Sequence, residues 1–221
     1  MVYHSDEYRS EITLPKIPQR VIGGNILVRV DPEEYIRVKG LILGDIESIH
    51  TEKKRFNPSN HAIRHGVVTL CNTGAKAEND MFTSEVDVVA GDMVWFDYMT
   101  GINATLFCID NTYYYMFHYT DLICRKRNDE IYPLNGYILC DLYEDAMPFL
   151  PDKVVIPQKA VVKYVGQDVE YKYRSGANVN VGDVVLTNSP IYMLEDDLHL
   201  FLDGSKYRVL KRSQIDAVCL P

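Results

Sequence analysis

His61-Ala62-Ile63-Arg64-His65 sets two imidazoles four residues apart, a spacing that on a helix would let both reach one metal ion. The flanking residues add no third or fourth ligand, and the segment runs into an apolar strand pattern. The two histidines therefore read as solvated or strand-entry residues. Glu195-Asp196-Asp197 could gather a hard cation such as calcium, but its place between two apolar runs makes it a charged turn. Cys71, Cys108, Cys124, Cys140 and Cys219 stand far apart with no C-x-x-C pair, which fits neither a disulfide framework nor a zinc knuckle. Within apolar runs such as Leu106-Phe107-Cys108-Ile109 a thiol acts as a small hydrophobe. Trp95, in Met93-Val94-Trp95-Phe96, is expected to pack in a core. None of the phosphate-cradling, nucleophile-turn, zinc-protease or dinucleotide-binding motifs occurs. The expectation is a protein that is not an enzyme, with no catalytic residue, no metal site and no cofactor.

The residues with the most distinctive chemistry are apolar. Lys39-Gly40-Leu41-Ile42-Leu43-Gly44-Asp45 places three aliphatic side chains between two glycines, inside a polar stretch that runs from Asp31-Pro32-Glu33-Glu34 to Asn57-Pro58-Ser59-Asn60. Such a tripeptide is a docking anchor: the side chains gain by entering a pocket, and the glycines leave the backbone free to adapt.

The elements that must carry this segment are strands. Alternating or fully apolar runs recur at 25–30, 66–71, 93–96, 105–109, 113–117, 137–142, 160–164, 183–186, 198–202 and 207–210. Turn residues separate them: Asn72-Thr73-Gly74, Gly91-Asp92, Thr100-Gly101, Gly182-Asp183 and Asp203-Gly204. Asp203-Gly204 reads as the tight turn of a hairpin, because these residues accept positive φ. No helical periodicity persists beyond two turns, and the expected class is all-β.

The pattern also repeats. Gly24-Asn25-Ile26-Leu27-Val28 is echoed by Gly136-Tyr137-Ile138-Leu139-Cys140, and Gly66-Val67-Val68 by Ala160-Val161-Val162. Val88-Val89-Ala90-Gly91-Asp92-Met93-Val94 is matched by Val179-Asn180-Val181-Gly182-Asp183-Val184-Val185, and residues 114–124 by 207–217. The order is the same in both halves. Two β domains are expected, joined near Arg125-Lys126-Arg127-Asn128-Asp129-Glu130-Ile131, which reads as a polar linker. The connection from Val30 to Gly66 is much longer than that from Cys140 to Ala160. A connection of that length within a β domain is functional or disordered.

A chain of 221 residues has room for two small domains. Its 47% apolar and 24% charged residues exclude a disordered chain. Twenty-three Lys and Arg against thirty-one Asp and Glu leave a formal charge of −8, which weighs against a grip on nucleic-acid phosphates. The apolar runs are too short to span a bilayer, so neither nucleic acid nor membrane is an expected partner. The polar, acidic start Met1-Val2-Tyr3-His4-Ser5-Asp6-Glu7 is unlike a secretory signal, and a cytoplasmic location is expected.

Taken in order, these elements resemble the GroES-type co-chaperonin family, as a tandem duplication covering nearly the whole chain after residue 17. The family's loop motif, a glycine before three aliphatic residues, is matched by Gly40-Leu41-Ile42-Leu43. Its Gly-Val-Val strand is matched by Gly66-Val67-Val68, its Val-x-x-Gly-Asp-x-Val element by residues 88–94, and its last strand by Met116 to Ile123. The resemblance implies an N-terminal extension (1–17) and two tandem GroES-like β-barrel domains, 18–127 and 128–221, with a long mobile loop in the first. It implies a homo-oligomeric ring that caps a GroEL-type chaperonin ring in its ATP-bound state and so assists protein folding. Gly40, Leu41, Ile42, Leu43 and Gly44 would then be the chaperonin-binding residues, with Val154, Val155 and Ile156 of the second half as a weaker anchor. Burying each aliphatic side chain yields roughly 1.5–3 kcal/mol, while ordering a loop costs on the order of 1–2 kcal/mol per residue. One loop alone would bind weakly, and several on one ring would bind well. The alternative is a non-enzymatic structural or assembly protein, of the kind found in viruses, built from duplicated barrels.

Overall fold

A computed structural model of the chain describes residues 12–31, 64–142, 159–173, 175–187 and 199–219. The first half of the sequence carries β1 (Ile12–Thr13), β2 (Asn25–Val30), β3 (His65–Leu70), β4 (Lys76–Glu78), β5 (Phe82–Glu85) and β6 (Met93–Phe96). A short helix, α1 (Tyr98–Asn103), then precedes β7 (Thr105–Ile109), β8 (Thr112–His118) and β9 (Leu122–Arg127). The second half carries β10 (Glu130–Pro133), β11 (Tyr137–Leu142), β12 (Lys159–Val165), β13 (Glu170–Tyr171), β14 (Val184–Thr187), β15 (His199–Leu202), β16 (Ser205–Lys211) and β17 (Ile215–Cys219). The protein is all-β. It divides into two units, the first holding the chain up to Glu78 together with Glu85–Arg127, the second holding Asn79–Ser84 together with the chain from Asn128 onward.

In the first unit the strands lie in the order β1-β7-β8-β2-β3-β6-β9, and in the second β15-β16-β11-β12-β14-β17. Apart from β1 the orders correspond strand for strand, and so do their irregularities. The β2–β3 ladder slips between Leu27 and Val28, the β11–β12 ladder between Leu139 and Cys140. The β6–β9 ladder slips between Trp95 and Phe96, the β14–β17 ladder between Leu186 and Thr187. A single 3-10 turn links β8 to β9 at Tyr119–Asp121, and another links β16 to β17 at Arg212–Gln214. The turn backbone repeats as well. Gly91 N donates to Val68 O and Gly182 N to Val162 O, both at 2.8 Å. The φ values of Gly91 and Gly182, 97° and 95°, lie where a side chain would strain the backbone, which explains the glycine in each half.

The alternation read from the sequence is the alternation of burial. On β6, Val94 and Phe96 are fully buried while Met93 and Trp95 are half-buried; on β14, Val185 and Thr187 are the buried pair. In the first unit Phe96 packs against Phe117 at 4.8 Å and edge-on to Tyr115 at 6.3 Å between ring centroids. In the second, Ile138, Cys140, Ala160, Val162, Val185 and Leu210 form the heart of one apolar cluster.

Three expectations are corrected. The sheets are open and not closed barrels: among the described residues no ladder joins β7 to β9 or β15 to β17. In the first unit the outer edge of β7 is taken by β1, in parallel, with Ile12 opposite Phe107 and Thr13 opposite Cys108. Thr100-Gly101, read as a turn, lies inside α1, where Gly101 N donates to Asp97 O at 3.2 Å and Ala104 N to Thr100 O at 2.8 Å. The supposed linker is strand on both sides of Asn128-Asp129, whose φ values of 49° and 64° form a tight turn. Asparagine and aspartate accept that conformation more readily than other side chains.

Candidate functional site

All eight residues expected to bind a chaperonin, Gly40, Leu41, Ile42, Leu43, Gly44, Val154, Val155 and Ile156, lie outside the described residues. What the structure places is where their segments leave and rejoin the fold. Residues 31–64 connect β2 to β3, neighbouring antiparallel strands with Arg29 opposite Val67 and Val28 opposite Val68. Residues 143–158 connect β11 to β12, also antiparallel neighbours, with Leu142 opposite Ala160 and Asp141 opposite Val161. The two aliphatic triplets thus occupy equivalent connections.

The stems are tightly set. A Cβ on Gly66 would meet Arg29 O and Val28 Cγ1, each at 2.5 Å, so only glycine lets β3 start this close to β2. Phe96 N donates to Arg64 O at 2.9 Å. His65 stacks on Trp95 with ring centroids 6.4 Å apart; its sequence companion His61 lies outside the described residues, as does Glu195-Asp196-Asp197. The second stem is held at the surface by Lys163 Nζ and Asp141 Oδ2, 3.7 Å apart.

A charged cluster that the sequence did not announce fixes the Gly-Asp turn of the first unit. Asp92, 2% exposed, accepts from Val89 N at 2.9 Å and from both Nε and Nη2 of Arg127, at 2.8 and 2.7 Å. The buried Arg125 donates through Nε to Asp87 O at 3.0 Å and through Nη2 to Asp87 Oδ2 at 3.2 Å. Within the segment read as a polar linker, both Arg125 and Arg127 fold back onto acidic residues. A forked guanidinium matches a carboxylate in two parallel bonds, so this cluster clamps β9 to the turn ahead of β6. In the second unit Asp183 makes the same turn contact, accepting from Asn180 N at 2.7 Å.

The second unit holds the other unannounced arrangement. Glu170 and Tyr171 of β13 pair with Thr83 and Phe82 of β5, and Lys172 N donates to Met81 O at 3.0 Å. Phe82 is 1% exposed, lies edge-on to Tyr171 at 6.3 Å, and has Lys211 Nζ 6.0 Å from its ring centre. Ser84 Oγ donates to Asn135 Oδ1 at 2.7 Å within the buried interior. Arg212, itself buried, holds the loop before β13 by donating through Nη2 to Gly166 O at 2.9 Å, with Nη1 3.3 Å from Asp168 Oδ1. These polar groups are spent on the fold. Among the described residues no group of three or more His, Cys, Asp or Glu side chains is placed to hold a metal ion, and no helix is long and apolar enough to cross a membrane.

The thiols divide by environment. Burial pushes the Cys124 thiol far up, and burial pushes Cys140 up to about 12, Arg208 on the neighbouring strand offsetting part of the rise. Since the thiolate is the reactive form, a thiol reagent at neutral pH is expected to modify the exposed Cys219 in the folded protein and to reach Cys124 and Cys140 only on unfolding, as peptide mapping would record. The same shift has a sign. An unfolded Cys140 loses its proton near 9.0 and the folded one only near 12, so its contribution is complete below pH 9.0 and is lost as the pH rises towards 12. Cys140→Ala is expected to flatten the alkaline limb of the stability profile.

The chain matches no protein-family model and no curated protein.

Proposed function

We propose that this chain is a co-chaperonin of the GroES type in tandem form, which caps an ATP-loaded GroEL-type chaperonin through aliphatic anchors and assists protein folding without catalysing a reaction. The observation that carries this reading is positional. Leu41-Ile42-Leu43 and Val154-Val155-Ile156 fall on the connections β2–β3 and β11–β12 of two units that share one strand order, so a ring of such chains would present its anchors from equivalent places. Several anchors carried by one assembly convert later contacts into intramolecular ones.

The test is size-exclusion chromatography with light scattering on a mixture with a GroEL-type chaperonin, with and without an ATP analogue. Co-migration is expected only with the nucleotide. Ile42→Asp is expected to abolish it, because the substitution removes roughly 1.5–3 kcal/mol of apolar burial at each loop and forces a carboxylate towards an apolar pocket. A defined oligomer that ignores the chaperonin in both conditions would overturn the reading and leave the assembly-protein alternative. Co-migration that survives Ile42→Asp would overturn the anchor assignment.

A further inference from the structure

We propose that the outer edge of β15 is a docking site for an extended segment of another protein, one with aliphatic residues at alternating positions, which adds to it as a parallel strand. In the first unit the corresponding edge is filled. β1 lies along β7 in parallel, Ile12 opposite Phe107 and Thr13 opposite Cys108, and Leu14 N donates to Cys108 O at 3.1 Å. Leu14 packs against the cluster that holds Phe107, Ile109 and Tyr114. β15 is the counterpart of β7: each pairs antiparallel with the strand that follows it, and the equivalent Tyr114 and Tyr207 stand opposite Phe107 and Leu200. Yet β15 ends the order of its sheet, and among the described residues no strand lies on its outer side.

The tandem arrangement accounts for the difference. Gly24 and Gly136 are equivalent, their carbonyls accepting from Tyr119 N at 2.7 Å and from Arg212 N at 2.9 Å at the start of the two 3-10 turns. The interval between them carries Ile12-Thr13 onto Cys124-Arg125. Those two residues are already placed in β9, opposite Trp95 and Val94, so the second unit has no β1 of its own. The β1 of each copy is engaged on its own β7, so a second copy has none to lend. The occupant is therefore another protein. Its chemistry follows from the edge. Leu200 and Leu202 are buried, while Phe201 between them is 66% exposed, with Lys206 Nζ 5.8 Å from its ring centre. Phe201 stands where Cys108 stands in the first unit. A terminal strand carrying an exposed aromatic ring offers an added strand both main-chain bonds and apolar area. By the pattern of β1, the first and third residues of that strand share the face of Leu200 and Leu202, and the middle one lies beside Phe201.

The inference depends on the repeat and not on the chaperonin reading, and its test is separate. The probe is a synthetic peptide of residues 10–17, Ser-Glu-Ile-Thr-Leu-Pro-Lys-Ile, titrated to millimolar concentration onto the full chain. Hydrogen exchange is expected to slow at β15 and to stay unchanged at β7. The same peptide N-methylated at its leucine lacks the amide that would donate to Phe201 O, and is expected to leave β15 unprotected. Phe201→Asp is expected to weaken binding roughly tenfold or more, and Phe201→Leu to keep it. Circular dichroism of both variants is expected to match the parent, since the side chain is exposed. Exchange at β15 that does not slow at millimolar peptide would overturn the proposal. So would slowing that survives N-methylation, or protection confined to β7, where the peptide merely replaces β1. Protection of β15 that rises with the concentration of the chain alone would make a second copy the occupant, and would overturn it too. Failure to bind a chaperonin bears on none of these results.

Discussion

Replacing Arg127 with methionine is expected to destabilise the first unit by about 3 kcal/mol, at the low end of the range for breaking a buried ion pair from one side. The reason lies in what is left behind. Asp92 is 2% exposed, and without Arg127 its carboxylate keeps only the Val89 amide as a partner from this cluster. It must then stay charged out of water or take up a proton at a cost. The low end applies because Arg127 is itself one-third exposed, so water already weakens the pair. Arg125→Met removes an arginine that is more buried, yet the carboxylate it abandons, Asp87, is 39% exposed and can turn to water. Arg125→Met is therefore expected to cost less. Asp92→Asn added to Arg127→Met is expected to recover stability, because an amide carbonyl still accepts from Val89 N and carries no charge to be stranded. Urea unfolding, with hydrogen exchange to localise the loss to β3, β6 and β9, reads all of this. Equal losses at Arg125 and Arg127 would show that burial of the abandoned carboxylate is not what sets the cost.

The same cluster marks where the sequence stops being readable. Asp92 and Arg127 are thirty-five positions apart by their numbers, and nothing local in Arg125-Lys126-Arg127 distinguishes a run facing water from one facing carboxylates on another strand. Features decided by local sterics were legible. Asp203-Gly204 turns with φ of 49° and 81° and joins β15 to β16 as its residue types require. The equivalent hairpin between β7 and β8 turns on Asp110-Asn111, φ 48° and 58°, and carries no glycine to announce it. Apolar runs foretold the strands β2, β3, β6, β7, β8, β11, β12, β14, β15 and β16. The short strands β4, β5, β10 and β13 did not show, because two to four residues with mixed polarity have no period to detect. Their pairing is set by neighbours far along the chain. The expected anchors were legible only as composition, three aliphatic residues between glycines.

Phe82→Ala is expected to cost about 3–5 kcal/mol, the range for emptying a buried aromatic site, and to take that cost from the second unit although Phe82 precedes Arg127 in the chain. Sequence order would place the loss in the first domain. The packing argues otherwise: Phe82 is 1% exposed, its ring meets Tyr171 and the Lys211 ammonium, and its strand is held by β13 and by the buried bond from Ser84 to Asn135. Every one of those partners belongs to the unit that begins again at Asn128. Hydrogen exchange is therefore expected to speed up at β11, β12 and β16 while β2, β3 and β8 keep their protection. Ser84→Ala gives a second reading of the same contact. It leaves the Asn135 side chain buried with one donor fewer, at about 1–3 kcal/mol, and the loss is expected in the same strands. If both variants instead loosened β2, β3 and β8, residues 79–84 would fold with the sequence half that encodes them. The seat on β13 would then be a secondary contact. If both loosen the second unit alone, the folding unit and the sequence repeat have different boundaries. A second unit cut out from residue 128 onward would then lack a strand of its own core and should fold only when residues 79–84 are supplied.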